Sequence, residues 1–178
     1  MATFYMLEGV NLFMGDHDPT ASTHLELETL KMPDLEDQNV EHSPGGSVMK
    51  VNFTIPQLSA LEVSFKLKGF NPKRMREFGI GTVYRKVFTG YGSVRDKRSG
   101  QMHQAKAIFE GRIAKMAPDE AKRGDDFGHD FTVMEITSAA LYFDEERIYE
   151  VDFFTNKYIV GENDQTADFN RALNIPNA

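Results

Sequence analysis

The chain has 178 residues, 40% of them hydrophobic and 14 of them Phe, enough to bury a packed core as one domain over residues 1–178. It has no Cys, which excludes disulfides and thiolate metal sites and suits a reducing cytoplasm. Its formal charge of −7 argues against a phosphate-gripping surface, because nucleic-acid binders gain affinity by neutralising phosphates with Lys and Arg. No apolar run approaches the ~20 residues that cross a bilayer. Residues 1–9 contain Glu8 and no basic stretch, so neither a signal peptide nor a membrane anchor is expected.

Residues 1–15 mix apolar side chains with Gly9, Asn11 and Gly15, which suits a short strand and a turn. Asp16-His17-Asp18-Pro19 is loop chemistry. Leu25, Leu27 and Leu30 set against Glu26 and Glu28 suggest a strand over residues 24–30. The polar segment 31–50, with Pro33, Pro44, Gly45 and Gly46, is too long for a tight turn. It reads as a protruding β-arm between strands at 24–30 and 48–55, and long loops of this kind are usually functional. Pro56 should then interrupt the chain. Leu61, Val63, Phe65 and Leu67 alternate with Glu62, Ser64, Lys66 and Lys68, a period of two that a half-buried strand satisfies. Gly69 ends it, and Asn71-Pro72 opens a helix over about residues 72–78, closed by Gly79-Ile80-Gly81.

The rest reads as β structure. A strand at 83–93 leads into the charged turn 95–100. Ala105, Ala107, Phe109 and Ile113 then share one face, opposite Gln104, Lys106, Glu110 and Arg112. A polar loop at 117–128 precedes a long strand at 131–143, and Asp144-Glu145-Glu146 makes the next turn. Tyr149, Val151 and Phe153 are expected to face inward from the last strand. Residues 164–173 look helical, with Phe169 and Leu173 spaced i, i+4. About seven strands with hairpin spacing predict a mainly β fold: an antiparallel barrel or sandwich with one short internal helix, the arm and a C-terminal helix.

No catalytic, cofactor or metal signature emerges. Gly79-Ile80-Gly81 lacks the third Gly and the strand–helix setting of a dinucleotide fingerprint. Asp16-His17-Asp18 has no second His pair at ligand spacing, and the five His are scattered. Asp125-Asp126 and Glu145-Glu146 fall in turns, where charge is simply solvated. The basic loops around Arg95, Lys97 and Arg98 and around Lys115, Lys122 and Arg123 carry no interleaved aromatics.

Several segments, taken in order, resemble the major tail tube proteins of contractile-tailed bacteriophages, a family related to the tubes of R-type contractile bacteriocins. Asn11-Leu12-Phe13-Met14-Gly15 is similar to the family's opening Asn-x-Phe and Gly. Residues 30–35, Glu41 and Pro44-Gly45-Gly46 resemble its arm and glycine-rich tip, although His42-Ser43 stands where relatives commonly carry Tyr-Arg. Residues 61–81 resemble its strand and helix. Gly111-Arg112, Lys115, Lys122 and Gly124 resemble its hairpin and basic loop. Glu150-Val151-Asp152, Asn156, Gly161, Asp164 and Asn174-Ile175 are similar to its closing segments.

The resemblance implies a small β-barrel that forms hexameric rings, stacked into a hollow tube inside a contractile sheath. The tube conducts DNA in a virion whose tail is assembled in the host bacterial cytoplasm. Implied partners are other copies of the chain, the tail sheath, the baseplate and tail terminator, and the tape measure protein and DNA that pass through the lumen. The arm residues Pro33, Leu35, Glu41, His42, Pro44, Gly45 and Gly46, and Phe4, Tyr5 and Leu7 near the N-terminus, are the expected subunit contacts. Asp168 and Arg171 are expected to face the sheath. Two other readings share the strand pattern: a type VI-like secreted tube, and a calycin-like barrel that would need an apolar cavity and no arm.

Overall fold

The computed structural model describes residues 3–15, 22–76, 84–124 and 126–175, with eleven strands and two short helices among them. The largest surface is an antiparallel sheet whose strands lie in the order β1 (Tyr5–Met14), β6 (Lys86–Asp96), β7 (Met102–Pro118), β8 (His129–Phe143), β9 (Glu146–Asp152), β10 (Lys157–Val160) and β11 (Asn163–Asp164). Two further strands, β2 (Leu27–Lys31) and β5 (Val63–Leu67), branch from it.

The branch point lies in β8. Its first residues, 129–133, pair with β5, while Ser138 to Phe143 pair with β9. Between them Glu135 adopts a left-handed backbone at φ 52°. Opposite, β7 shifts register on either side of Arg112 and Ile113. Gly111 sits at this corner because a Cβ there would lie 2.7 Å from Val133 Cγ1. The chain thus bends into two leaves, a sandwich-like arrangement rather than a closed barrel.

The period-two pattern explains what fills the space between the leaves. Val63, Phe65 and Leu67 on β5 are buried, and Phe65 stacks on Phe131 at 5.1 Å. Phe88 and Phe109, fully buried, stack at 5.2 Å. Leu12, Ile113, Val133, Ala139 and Val151 complete this core. Stacked Phe pairs occupy the interior that a ligand-binding barrel would keep open.

Several expectations need correction. Residues 51–55 do not belong to the body; they form half of the arm, and Pro56 lies inside that strand. The strand expected at 83–93 runs as β6 from Lys86 to Asp96. Phe153 is 76% exposed, because β9 ends at Asp152 and the following turn breaks the parity of the strand. The chain does not end its sheet there, since β10 and β11 follow. Asn163–Asp164 is strand, so the C-terminal helix α2 covers only Ala167–Ala172. Its Phe169 and Leu173 are exposed, and Asn170 is the buried anchor. The internal helix α1 covers Pro72–Arg76, with Met75 N–H donating to Asn71 O. Gly79-Ile80-Gly81, Asp16-His17-Asp18 and Asp125 lie outside the described residues.

Candidate functional site

The arm is a separate antiparallel hairpin of β3 (Asp37–His42) and β4 (Val51–Leu58). Its register places Val40 opposite Phe53, His42 opposite Val51 and Gln38 opposite Ile55. Strand alternation therefore gathers Val40, Val51, Phe53 and Ile55 on one face. Asn39, Glu41, Asn52 and Thr54 form the other, where Thr54 Oγ1 donates to Asn39 Oδ1 at 2.9 Å. Val40 is 50% and Phe53 57% exposed. Two strands without a layer behind them are at best marginally stable in water. Among the described residues nothing covers the apolar face of the arm.

The ends of the arm differ. Pro33 is buried, Leu58 packs against the core, and Ser59 N–H donates to Glu36 O at 2.9 Å, which fixes the base. Leu35 is partly exposed beside it. Lys50 and Glu41 form an exposed ion pair of 2.7 Å near the tip. A Cβ added at Gly45 or Gly46 would meet no atom within 4 Å, and Val48 and Met49 are exposed. Of the expected arm contacts, Glu41, His42, Pro44, Gly45 and Gly46 are exposed and Pro33 is not.

A second surface lies at the start of β1. Phe4, just before β1, and Tyr5, Met6 and Leu7 within it are exposed, and among the described residues these strand positions pair only with β6. Tyr5 meets His103 and Phe143 edge-on. Glu8 accepts from Lys97 Nζ at 2.6 Å and Arg95 Nε at 2.9 Å, and those cations hold its carboxyl below the usual range. Lys97 N–H donates to Phe4 O, so the segment is pinned to its own hairpin.

A third surface was not anticipated from the sequence. Phe153 and Phe154 stand exposed on the turn after β9, and the Arg85 guanidinium lies 5.2 Å from the Phe154 ring centre. Two consecutive aromatics beside a strand end were the available signal. The neighbouring α2 is held by Asn170, which accepts from Asn156 Nδ2 at 2.5 Å and donates to Asn156 O at 3.0 Å. Asp168 and Arg171 are exposed and pair with each other.

Among the described residues no group of three or more His, Asp or Glu is placed to hold a metal ion. Asp144 is paired with His103 and bonded by Gln104 N–H, which holds its carboxyl low, but the pair caps a turn. No helix there is long and apolar enough to cross a membrane.

A filled β-sandwich with a coreless arm and exposed edge aromatics defines a subunit built for assembly. Residues 7–173 match the phage tail tube protein FII family. The chain belongs to that family, whose members are structural proteins of tail tubes. Similar folds occur in solved structures of contractile systems. A chain of the anti-feeding prophage cap, the tube-terminating cap, is 12% identical with a TM-score of 0.56, over 80% of this chain and 94% of that one. A chain of the PVC sheath-tube complex, an extracellular contractile injection system in its extended state, is 10% identical with a TM-score of 0.53, over 75% and 88%. A chain of the anti-feeding prophage baseplate is 8% identical with a TM-score of 0.50, over 80% and 94%. No curated protein is similar enough in sequence to count as a relative.

Proposed function

We propose that this chain forms hexameric rings that stack into the inner tube of a contractile phage tail, a conduit for DNA. The observation that carries this reading is the unpartnered apolar face of the arm, which needs another subunit to cover it. The arm, through Leu35, Glu41, His42 and the Pro44-Gly45-Gly46 tip, reaches a neighbouring copy, with Pro33 seating its base. Phe4, Tyr5 and Leu7 bridge successive rings. The exposed pair Asp168 and Arg171 on α2 faces the sheath. The chain's net acidity suits a wall that lets phosphates slide past.

In this reading the tube meets the sheath, the baseplate, the terminator and the tape measure protein, and it is assembled in the host bacterial cytoplasm before it becomes part of the virion tail. The fold likeness to chains of injection systems supports a second reading, a bacteriocin or type VI-like tube, with the same mechanical job. Negative-stain electron microscopy across a concentration series tests both. Sixfold rings or hollow tubes are expected; a monodisperse monomer at high concentration would overturn them.

A further inference from the structure

We propose that the aromatic turn Phe153 and Phe154, flanked by Tyr84 and Arg85, is the socket that receives Phe4 and Tyr5 of a second copy, joining copies head to tail along their strands. The inference rests on the tube reading above and names the two surfaces that meet in it.

Register separates the two surfaces within one subunit. Tyr5 pairs with Asp96 at one end of β6. At the other end a continuous row runs from Val87 to Glu110, Ser138 and Asp152, the residue before Phe153. Arg85 over Phe154 confirms that these belong to the same end. The nine residue steps from Val87 to Asp96 amount to about 30 Å. Phe4 is tied to its own end by Lys97 N–H, so it cannot reach its own socket.

Chemistry matches them. Phe4, Phe153 and Phe154 are all more than 60% exposed, and clustered exposed aromatics mark contact sites. Charge restricts how the two can meet. Phe4 and Tyr5 adjoin both the basic turn of Arg95, Lys97 and Arg98 and, through Phe143, the exposed acidic turn Asp144, Glu145 and Glu146. The acidic turn is the side that must meet exposed Lys86, since Arg85 already lies 3.6 Å from Glu110 of its own subunit. Two different patches at opposite ends make a heterologous contact, which joins more than two copies instead of stopping at a symmetric dimer.

The absence of native Cys allows a direct test in the full-length protein. Phe4→Cys combined with Phe154→Cys, assembled and mildly oxidised, should give a ladder of covalent oligomers on a non-reducing gel. Each single variant should stay a monomer on the gel, because its lone Cys faces a Phe, and Phe4→Cys with Leu25→Cys should give no ladder, because a disulfide needs Cα atoms within about 7 Å. A ladder from the Leu25 pair, or tubes seen by microscopy without a ladder from the Phe154 pair, would overturn the socket and leave the tube reading standing. Failure of the unmodified protein to associate at all would overturn both. As a second probe, Phe153→Glu with Phe154→Glu should keep the melting temperature and abolish tubes; tubes at the unmodified protein's concentration would refute the socket.

Discussion

The same truncation, Phe to Ala, should have opposite consequences at Phe109 and Phe53. Phe109 is fully buried and stacked on Phe88 at 5.2 Å. Its removal leaves a cavity between the leaves and should cost about 3–5 kcal/mol. For a chain of this size, that lowers the melting temperature by roughly 6–20 °C. Phe53 is 57% exposed on the arm, so its loss should change subunit stability by less than about 0.5 kcal/mol.

Assembly reverses the ranking. Burying the exposed half of a Phe side chain against a neighbour is worth about 1–1.5 kcal/mol. In a six-membered ring the loss recurs at every arm, roughly 6–9 kcal/mol for each ring added, if the contacts act independently. Shared over the six subunits that each ring consumes, at 1.4 kcal/mol per tenfold, this should raise the subunit concentration needed for tube growth about five- to twelvefold. Differential scanning fluorimetry reads the first effect, and sedimentation with electron microscopy the second. Phe53→Ala tubes growing at the unmodified protein's concentration would refute the reasoning, as would a Phe53→Ala melting shift matching that of Phe109→Ala.

Other perturbations probe separate features. Pro44→Asp with Gly45→Asp places charge on the open arm tip and should block stacking while circular dichroism shows a folded subunit. Gly111→Ala forces a Cβ within 3.0 Å of Val133 and Met134 and should destabilise by about 1–3 kcal/mol in chemical denaturation. Asn170→Ala removes both amide contacts to Asn156 and should cost about 1–3 kcal/mol, seen as faster hydrogen exchange confined to α2 and the 153–156 turn. The Asp96 carboxyl is held below its ordinary range by the Ser99 hydroxyl and then by Arg98 N–H. A depressed carboxyl stabilises fully above the unfolded value, about 4, and loses that contribution as pH falls through its folded value. Asp96→Asn should therefore flatten the loss of stability below about pH 4 in acid titrations followed by circular dichroism.

What could be read from the sequence was what depends on near neighbours. Val63, Phe65 and Leu67 declared a strand because alternation is local, and Asp144-Glu145 declared a turn by composition. Both residues indeed take positive φ, 47° and 70°. The arm was legible as a protrusion, but its far strand was misplaced. Val51, Phe53 and Ile55 alternate just as a body strand does, and alternation shows that one face is apolar without saying what covers it. The branching of β8 depends on Glu135 and Gly111 meeting across two strands, which no short window contains. Phe153 misled because parity was carried past the end of β9. The C-terminal helix hid its anchor for a related reason: an amide, Asn170, fixes it where an apolar stripe was expected.

Pro56 gives the arm a safeguard during the time a subunit spends alone. The uncharged run from Val51 to Ile55, with backbone open along its outer edge, is the kind of strand that pairs indiscriminately with copies of itself. Proline supplies no N–H, and Pro56 falls where the β3–β4 register slips between the Gln38–Ile55 and Asp37–Leu58 pairs. A stray strand laid along this edge would meet a register slip and a residue without an N–H at one end and the Lys50–Glu41 ion pair at the other, which makes β4 a poor template for a fibril.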